Sequence, residues 1–200
     1  LRYDSVEKNA TKAALIPNMM LSPNALYTMY YGTTASKKTE NNVGALYRME
    51  HDMSKQTMFF WGVSRTMRTA DETEQYMAAN NSTAMMRWIG NPDIKPEAHN
   101  QLDVGITTKG KNTDFSVSAY YDDVSDYILR DRAHGQTGIL LSDNATIYRN
   151  VEAELYGVDV EANVKWSVNW KSRFTAAYVH ATNTTDNRAI AQIPPLEGTA

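Results

Sequence analysis

Between Ile147 and Tyr178, apolar and polar residues alternate in two long runs. Val158, Val160, Ala162 and Val164 alternate with Asp159, Glu161 and Asn163; further on, Phe174, Ala176 and Tyr178 alternate with Arg173 and Thr175. A period of two places each set on its own face of a β-strand. The polar joint Ser167-Val168-Asn169, bracketed by Trp166 and Trp170, makes the two runs a hairpin. These strands exceed the length usual in soluble domains. One apolar face, one charged face and tryptophans at the tight end predict the wall of a transmembrane β-barrel.

The same alternation predicts about seven strands. They cover Leu1–Ala10, Val43–His51, Thr57–Arg68, His99–Lys109, Thr113–Arg130 and the two arms of the hairpin. Long polar connections at 11–42, 69–97 and 131–146 alternate with short turns at 52–56, 110–112 and 167–169. Pro92 and Pro96 cannot sit in a central ladder, so the fourth strand starts after them, and Ile193-Pro-Pro introduces another strand. Long external loops alternating with short periplasmic turns are the rhythm of an antiparallel up-and-down outer-membrane barrel. The aromatics agree: Tyr47, Phe59, Trp61, Trp166 and Trp170 flank short turns, while Tyr120, Tyr121 and Tyr178 lie toward the long loops. One phase change needs a reason. Val151, Ala153 and Leu155 have odd parity, whereas Val158 to Val164 have even parity. Either a bulge sits at Tyr156-Gly157, or the strand before Gly157 stands above the bilayer, where neither face must be apolar. The acidic extension of strand five through Asp122, Asp123 and Asp126 favours the second.

Composition narrows the classes. The mean hydropathy of −0.52 fits wet loops and a wet lumen, and the net charge of −3 gives no basic face for nucleic acid. Leu1-Arg-Tyr-Asp reads as strand interior, not as a secretory leader. No apolar run is long enough for a transmembrane helix, which leaves a membrane crossed by strands open. The chain has no cysteine, hence no thiolate metal ligand, and its ten methionines all fall at or before Met86.

Several motifs carry a family resemblance. GNPDIKPE at 90–97 leading into QLDVGI, VSDYILRD at 124–131, YRNVEAELYGVDVEA at 148–162 and AQIPPLEG at 191–198 resemble, in this order, the barrel of a TonB-dependent outer-membrane receptor. Together they look most like its copper-receptor branch. The resemblance implies a barrel of twenty-two strands with a plug domain that contacts the TonB complex, in a bacterial outer membrane. Residues 1–200 would be a fragment of the C-terminal half of that barrel, with plug domain, TonB box and final strand not among them. The implied partners are outer-membrane lipid, the receptor's own plug and, through it, TonB; the implied activity is transport, not catalysis.

Candidate chemistry follows from ligand softness. Thioether sulfur suits Cu(I), so Met19, Met20 and Met29 in the first long loop, with Met77, Met85 and Met86 in the second, could present sulfur above the barrel; His134 lies in the third. Methionine also fills irregular packing and lipid-facing positions, which suits Met49 and Met58. Copper would then be a transported ligand; no bound cofactor is implied. His51-Asp-Met53 resembles a His/Met metal pair but sits at a short-turn end, away from ligand entry. His99 and His180 read as strand-end residues, and Asp122, Asp123 and Asp126 as solvated acids without calcium-loop spacing. No catalytic or nucleotide-binding fingerprint is present. The competing readings are a siderophore or other chelate receptor of the same family, a passive porin, and a secreted β-sandwich.

Overall fold

The computed structural model describes residues 1–10, 12–14, 21–191 and 197–199. Seven long strands form one antiparallel meander: β1 (Arg2–Lys8), β2 (Lys38–Asp52), β3 (Thr57–Arg68), β4 (Glu97–Lys109), β5 (Thr113–Arg132), β6 (Thr146–Lys165) and β7 (Lys171–Asn183). Each pairs with the next in sequence, and β2 starts five residues earlier than the alternation alone predicts. A short strand at Glu197–Thr199 returns to pair with Thr175–Ala177 of β7. Ile193-Pro-Pro, expected to introduce it, lies outside the described residues.

The register sorts the side chains into two media. One row across the sheet reads Trp61, Val104, Ala119, Val158, Tyr178, and the next Phe59, Ile106, Val117, Val160, Ala176. The row between these two, on the other face, reads Glu50, Phe60, Gly105, Ser118, Asp159, Ala177. Arg48, Asp103 and Glu161 share that polar face, as expected. Exposed large apolar residues collect on the first face: Val63 is 44% exposed, Val104 40%, Val158 39% and Phe174 42%. Among the described residues no second sheet covers them. A soluble sandwich would bury such a face against another sheet; a hydrocarbon slab is the medium that fits this exposed apolar face.

The apolar band has a sharp upper limit. Above the row Tyr47, Val63, Leu102, Tyr121, Tyr156, the same face carries the row Arg65, Asn100, Asp123, Glu154, Thr182. Five polar residues side by side mark where lipid ends, because a charge at mid-bilayer costs ~2–4 kcal/mol. Tyr121 and Tyr156 sit at this limit, with the Tyr156 ring 5.1 Å from that of His180. Tyr120 does not join this girdle. It stands on the polar face opposite Gly157.

Strands β5 and β6 are 20 residues each, twice what about 9–11 residues need to cross a bilayer. No bulge sits at Tyr156-Gly157; pairing there is regular, and the irregularity falls on β5 between Val124 and Tyr127, where Asp126 takes φ 55°. Above the polar row the extension carries buried apolar residues on both faces. Val124, Leu129, Val151 and Ala153 form one core, and Ile128, Tyr148, Ile94 and Ala70 another. The parity change is therefore a change of surroundings: lipid below, packed loops above.

The described parts of the long loops carry defined structure. Helix α1 (Pro23–Tyr31) starts with the Ser22 hydroxyl accepting from the Ala25 N–H and ends at Gly32 in the left-handed region. Helix α2 (Glu72–Tyr76) is fixed by a reciprocal capping box between Asp71 and Glu74. Leu26, Tyr27 and Tyr30 are fully buried against Ile89, Ala133, Ile139 and Ile147, each contributing ~2 kcal/mol by apolar burial.

Candidate functional site

The site expected from the sequence is the external mouth, and three loops converge there. The Tyr27 hydroxyl donates to the Tyr76 carbonyl at 2.7 Å, and the Tyr31 hydroxyl donates to the Ile89 carbonyl at 2.9 Å while accepting from the Tyr148 N–H at 3.1 Å. The Tyr30 hydroxyl donates to Asp143 at 2.7 Å, and the Leu140 N–H reaches the Tyr30 carbonyl. Burial pushes the Tyr27 phenol up to about 12 and raises that of Tyr31 further, so both remain donors. Ala78–Ala79 and Trp88–Ile89 form a small ladder whose second strand runs parallel to β6 at Thr146–Ile147. Gly90 permits this close approach: a Cβ there would lie 2.7 Å from the backbone of Gln75 and Met77.

The candidate metal ligands occupy this mouth to different degrees. Met85 and Met86, on a single 3-10 turn at Ala84–Met86, are 60% and 68% exposed, and Met29 is 36% exposed on α1. Arg87 beside Met86 donates to the hydroxyl of Tyr30, the neighbour of Met29, which sets these segments side by side. Met77 is half-buried at the end of α2, its carbonyl accepting from the Gly90 N–H. His134 is exposed in the third loop, two residues from Arg132, whose guanidinium donates to the Met85 carbonyl. Met19 and Met20 lie outside the described residues. His51 and Met53 are exposed at the β2–β3 turn, at the opposite end of the sheet.

Two charged networks hold the mouth together, and neither was anticipated. In the first, Asp131 accepts from Arg149, Arg188 and Gln136, and Arg149 also pairs with Asp186. Burial pushes the Asp131 carboxyl up, but the Arg132 N–H and the Arg149 and Arg188 guanidiniums hold it below the usual carboxylate range. The second lies at the top of the polar face, outside the lipid-facing segment. His99 bonds Asp122 at 2.6 Å and Glu97 at 3.2 Å, and Glu97 also accepts from Arg68 and the Ile128 N–H. Hydrogen bonds to Asp122 and Glu97 raise His99 to about 9 against its burial. Burial raises Glu97, yet its bonds from His99, Arg68 and Ile128 bring it to about 2. Asp122 and His99 are thus paired inside the molecule, not solvated strand-end groups. Asp123 points to the opposite face and Asp126 to Lys95, so the three acids do not converge. Among the described residues no three histidine or carboxylate side chains are placed to hold a metal ion.

Among the described residues this mouth presents thioether, arginine and aromatic side chains. The copper transporter OprC is similar in structure, with a TM-score of 0.67 and 29% sequence identity; the match covers 83% of this chain and 24% of that one. The siderophore receptor PirA from Acinetobacter baumannii shares the fold at a TM-score of 0.52 and 13% identity, covering 81% of this chain and 26% of that one. The chain thus spans about a quarter of the length of either. No curated protein matches the sequence. The family described as TonB dependent receptor-like, beta-barrel, matches residues 1–200 from end to end, and the chain belongs to it.

Proposed function

We propose that residues 1–200 form part of the C-terminal half of the wall, and much of the external mouth, of a TonB-dependent outer-membrane receptor that takes up copper or a copper chelate. The observation that carries this reading is the exposed sulfur pair at Met85 and Met86, set in loops packed above a lipid-facing wall, in a chain similar at 29% identity to a copper transporter. Met29 and Met77, with Met19, Met20 and His134, complete the candidate capturing set. A plug domain gates the lumen and couples to TonB. The receptor performs transport; the charged inner face from Arg48 to Glu161 meets plug or water, where charge is cheap.

The test is copper uptake by cells expressing the full-length receptor with Met19, Met20, Met85 and Met86 all changed to leucine. Uptake should fall about tenfold or more, the loss expected when soft ligands are removed without a volume change. Uptake equal to wild type, with equal receptor in the membrane, would remove these sulfurs from the site.

A further inference from the structure

A cleft of about 370 Å³ opens beside the Ala84–Met86 turn, lined by Trp88, Arg130, Asp131, Arg132 and Thr146. Arg132 is held there in an unusual way. The two N–H groups of its Nη1 are shared among the carbonyls of Met85 and Asn144 and the Thr146 hydroxyl, each 3.1 Å away. All three acceptors are neutral. An exposed arginine ordinarily roams or pairs with an acid; this one is fixed by one nitrogen, and its charge is not offset. The neighbouring carboxylate of Asp131 is committed elsewhere, to the Arg132 backbone N–H through one oxygen and to Arg149, Arg188 and Gln136 through the other. Among the described residues, Nε and Nη2 of Arg132 carry no hydrogen bond. Those two N–H groups form the parallel edge that matches a carboxylate in bidentate fashion.

The rest of the cleft fits the same ligand. Arg130 also lines the cleft, beside the Asp131 carboxylate that Arg149 and Arg188 already engage. Trp88 forms an aromatic wall, backed by the Tyr148 ring at 6.5 Å and 25°. The Met85 carbonyl that steadies Arg132 belongs to the residue whose side chain is 60% exposed beside it. A carboxylate on Arg132 would sit on the residue that bonds the Met85 backbone.

We infer that this cleft binds the carboxylate of an anionic copper chelate, so that the cargo is the complex and not the bare ion. The inference rests on the copper reading above and adds a recognition residue, Arg132, that acts on the chelator.

Two copper(I) probes separate the two readings: the carboxylate-bearing copper(I)–bicinchoninate complex, and copper(I) supplied as its acetonitrile complex. Each is titrated into the purified full-length receptor and into its Arg132→Gln and Met85→Leu/Met86→Leu variants, with the barrel's resistance to unfolding in unheated detergent as the folding control. Arg132→Gln should weaken bicinchoninate-complex binding about tenfold more than it weakens binding of the acetonitrile-supplied ion, the difference expected for one charge-assisted pair. The methionine variant should weaken both. Equal binding of the bicinchoninate complex by wild type and Arg132→Gln overturns the inference, as does a wild type that binds only the acetonitrile-supplied ion; either leaves the copper reading standing. A wild type that binds neither probe overturns both.

Discussion

The ring of Tyr120 occupies the space that a side chain at Gly157 would fill: a Cβ built on Gly157 would stand 2.6 Å from three atoms of the ring. The two residues are directly paired across β5 and β6 on the polar face. An aromatic laid over a cross-strand glycine covers backbone that would otherwise face the lumen and pins the register. Gly157→Val should destabilise the barrel by about 1–3 kcal/mol through overpacking, read as a lower denaturant midpoint in detergent. Tyr120→Ala in the same molecule should recover much of that loss, because the two changes share one space. Additive effects would mean that the ring does not lie there.

Breaking the Asp131–Arg149–Asp186 network should loosen the mouth and spare the wall. The Arg149 side chain is only 8% exposed, and Asp131 12%. Removing one partner of a buried pair leaves uncompensated charge, at ~3–5 kcal/mol. With Arg149→Leu, amide exchange across 131–146 should accelerate about a hundredfold or more, while that of 156–164 is unchanged. Uniform acceleration in both segments would show that the network supports the whole sheet.

Much of the wall was legible in the sequence because strand alternation is a local signal and a bilayer enforces it. Val158 to Val164 must all face one way, so their parity alone places Asp159 and Glu161 on the other face. The mouth was less legible. Ser22-Pro23 before the α1 run, Gly32 after it, and Asp71 three residues before Glu74 are capping signals for both helices; they were available but lay within stretches dominated by polar residues and methionines. The bulge between Val124 and Tyr127 and the pairings of Asp122 with His99 and of Arg149 with Asp131 depend on partners distant in sequence, and no spacing announces them. Arg132 is the clearest case. Nothing beside it in the chain shows that Met85, 47 residues away, fixes its guanidinium.

The Glu97–His99–Asp122 cluster predicts a bell-shaped pH dependence for the top of the polar face. His99 is raised from 6.5 to about 9 on folding, so its contribution is complete below pH 6.5 and fades as pH rises through 9. Glu97 is lowered from 4.5 to about 2, so its contribution is complete above pH 4.5 and fades as pH falls toward 2. Protection of the Ile128 amide, which donates to Glu97, should peak between these limits. His99→Gln should flatten the alkaline side and Glu97→Gln the acidic side. A His99→Gln profile that still falls on the alkaline side would assign that side to another group.

The assignment of hydrocarbon to the Val104/Val117/Val160 face is tested most directly by spin labels in the native membrane. The chain contains no cysteine, so single cysteines at 104, 117 and 160, and at 103, 159 and 161, each report one face. Labels at 104, 117 and 160 should be relaxed more by oxygen, which partitions into lipid, than by a water-soluble nickel complex, while labels at 103, 159 and 161 show no oxygen preference. The reverse pattern, or nickel access equal to oxygen access at 160, would contradict a lipid-facing wall.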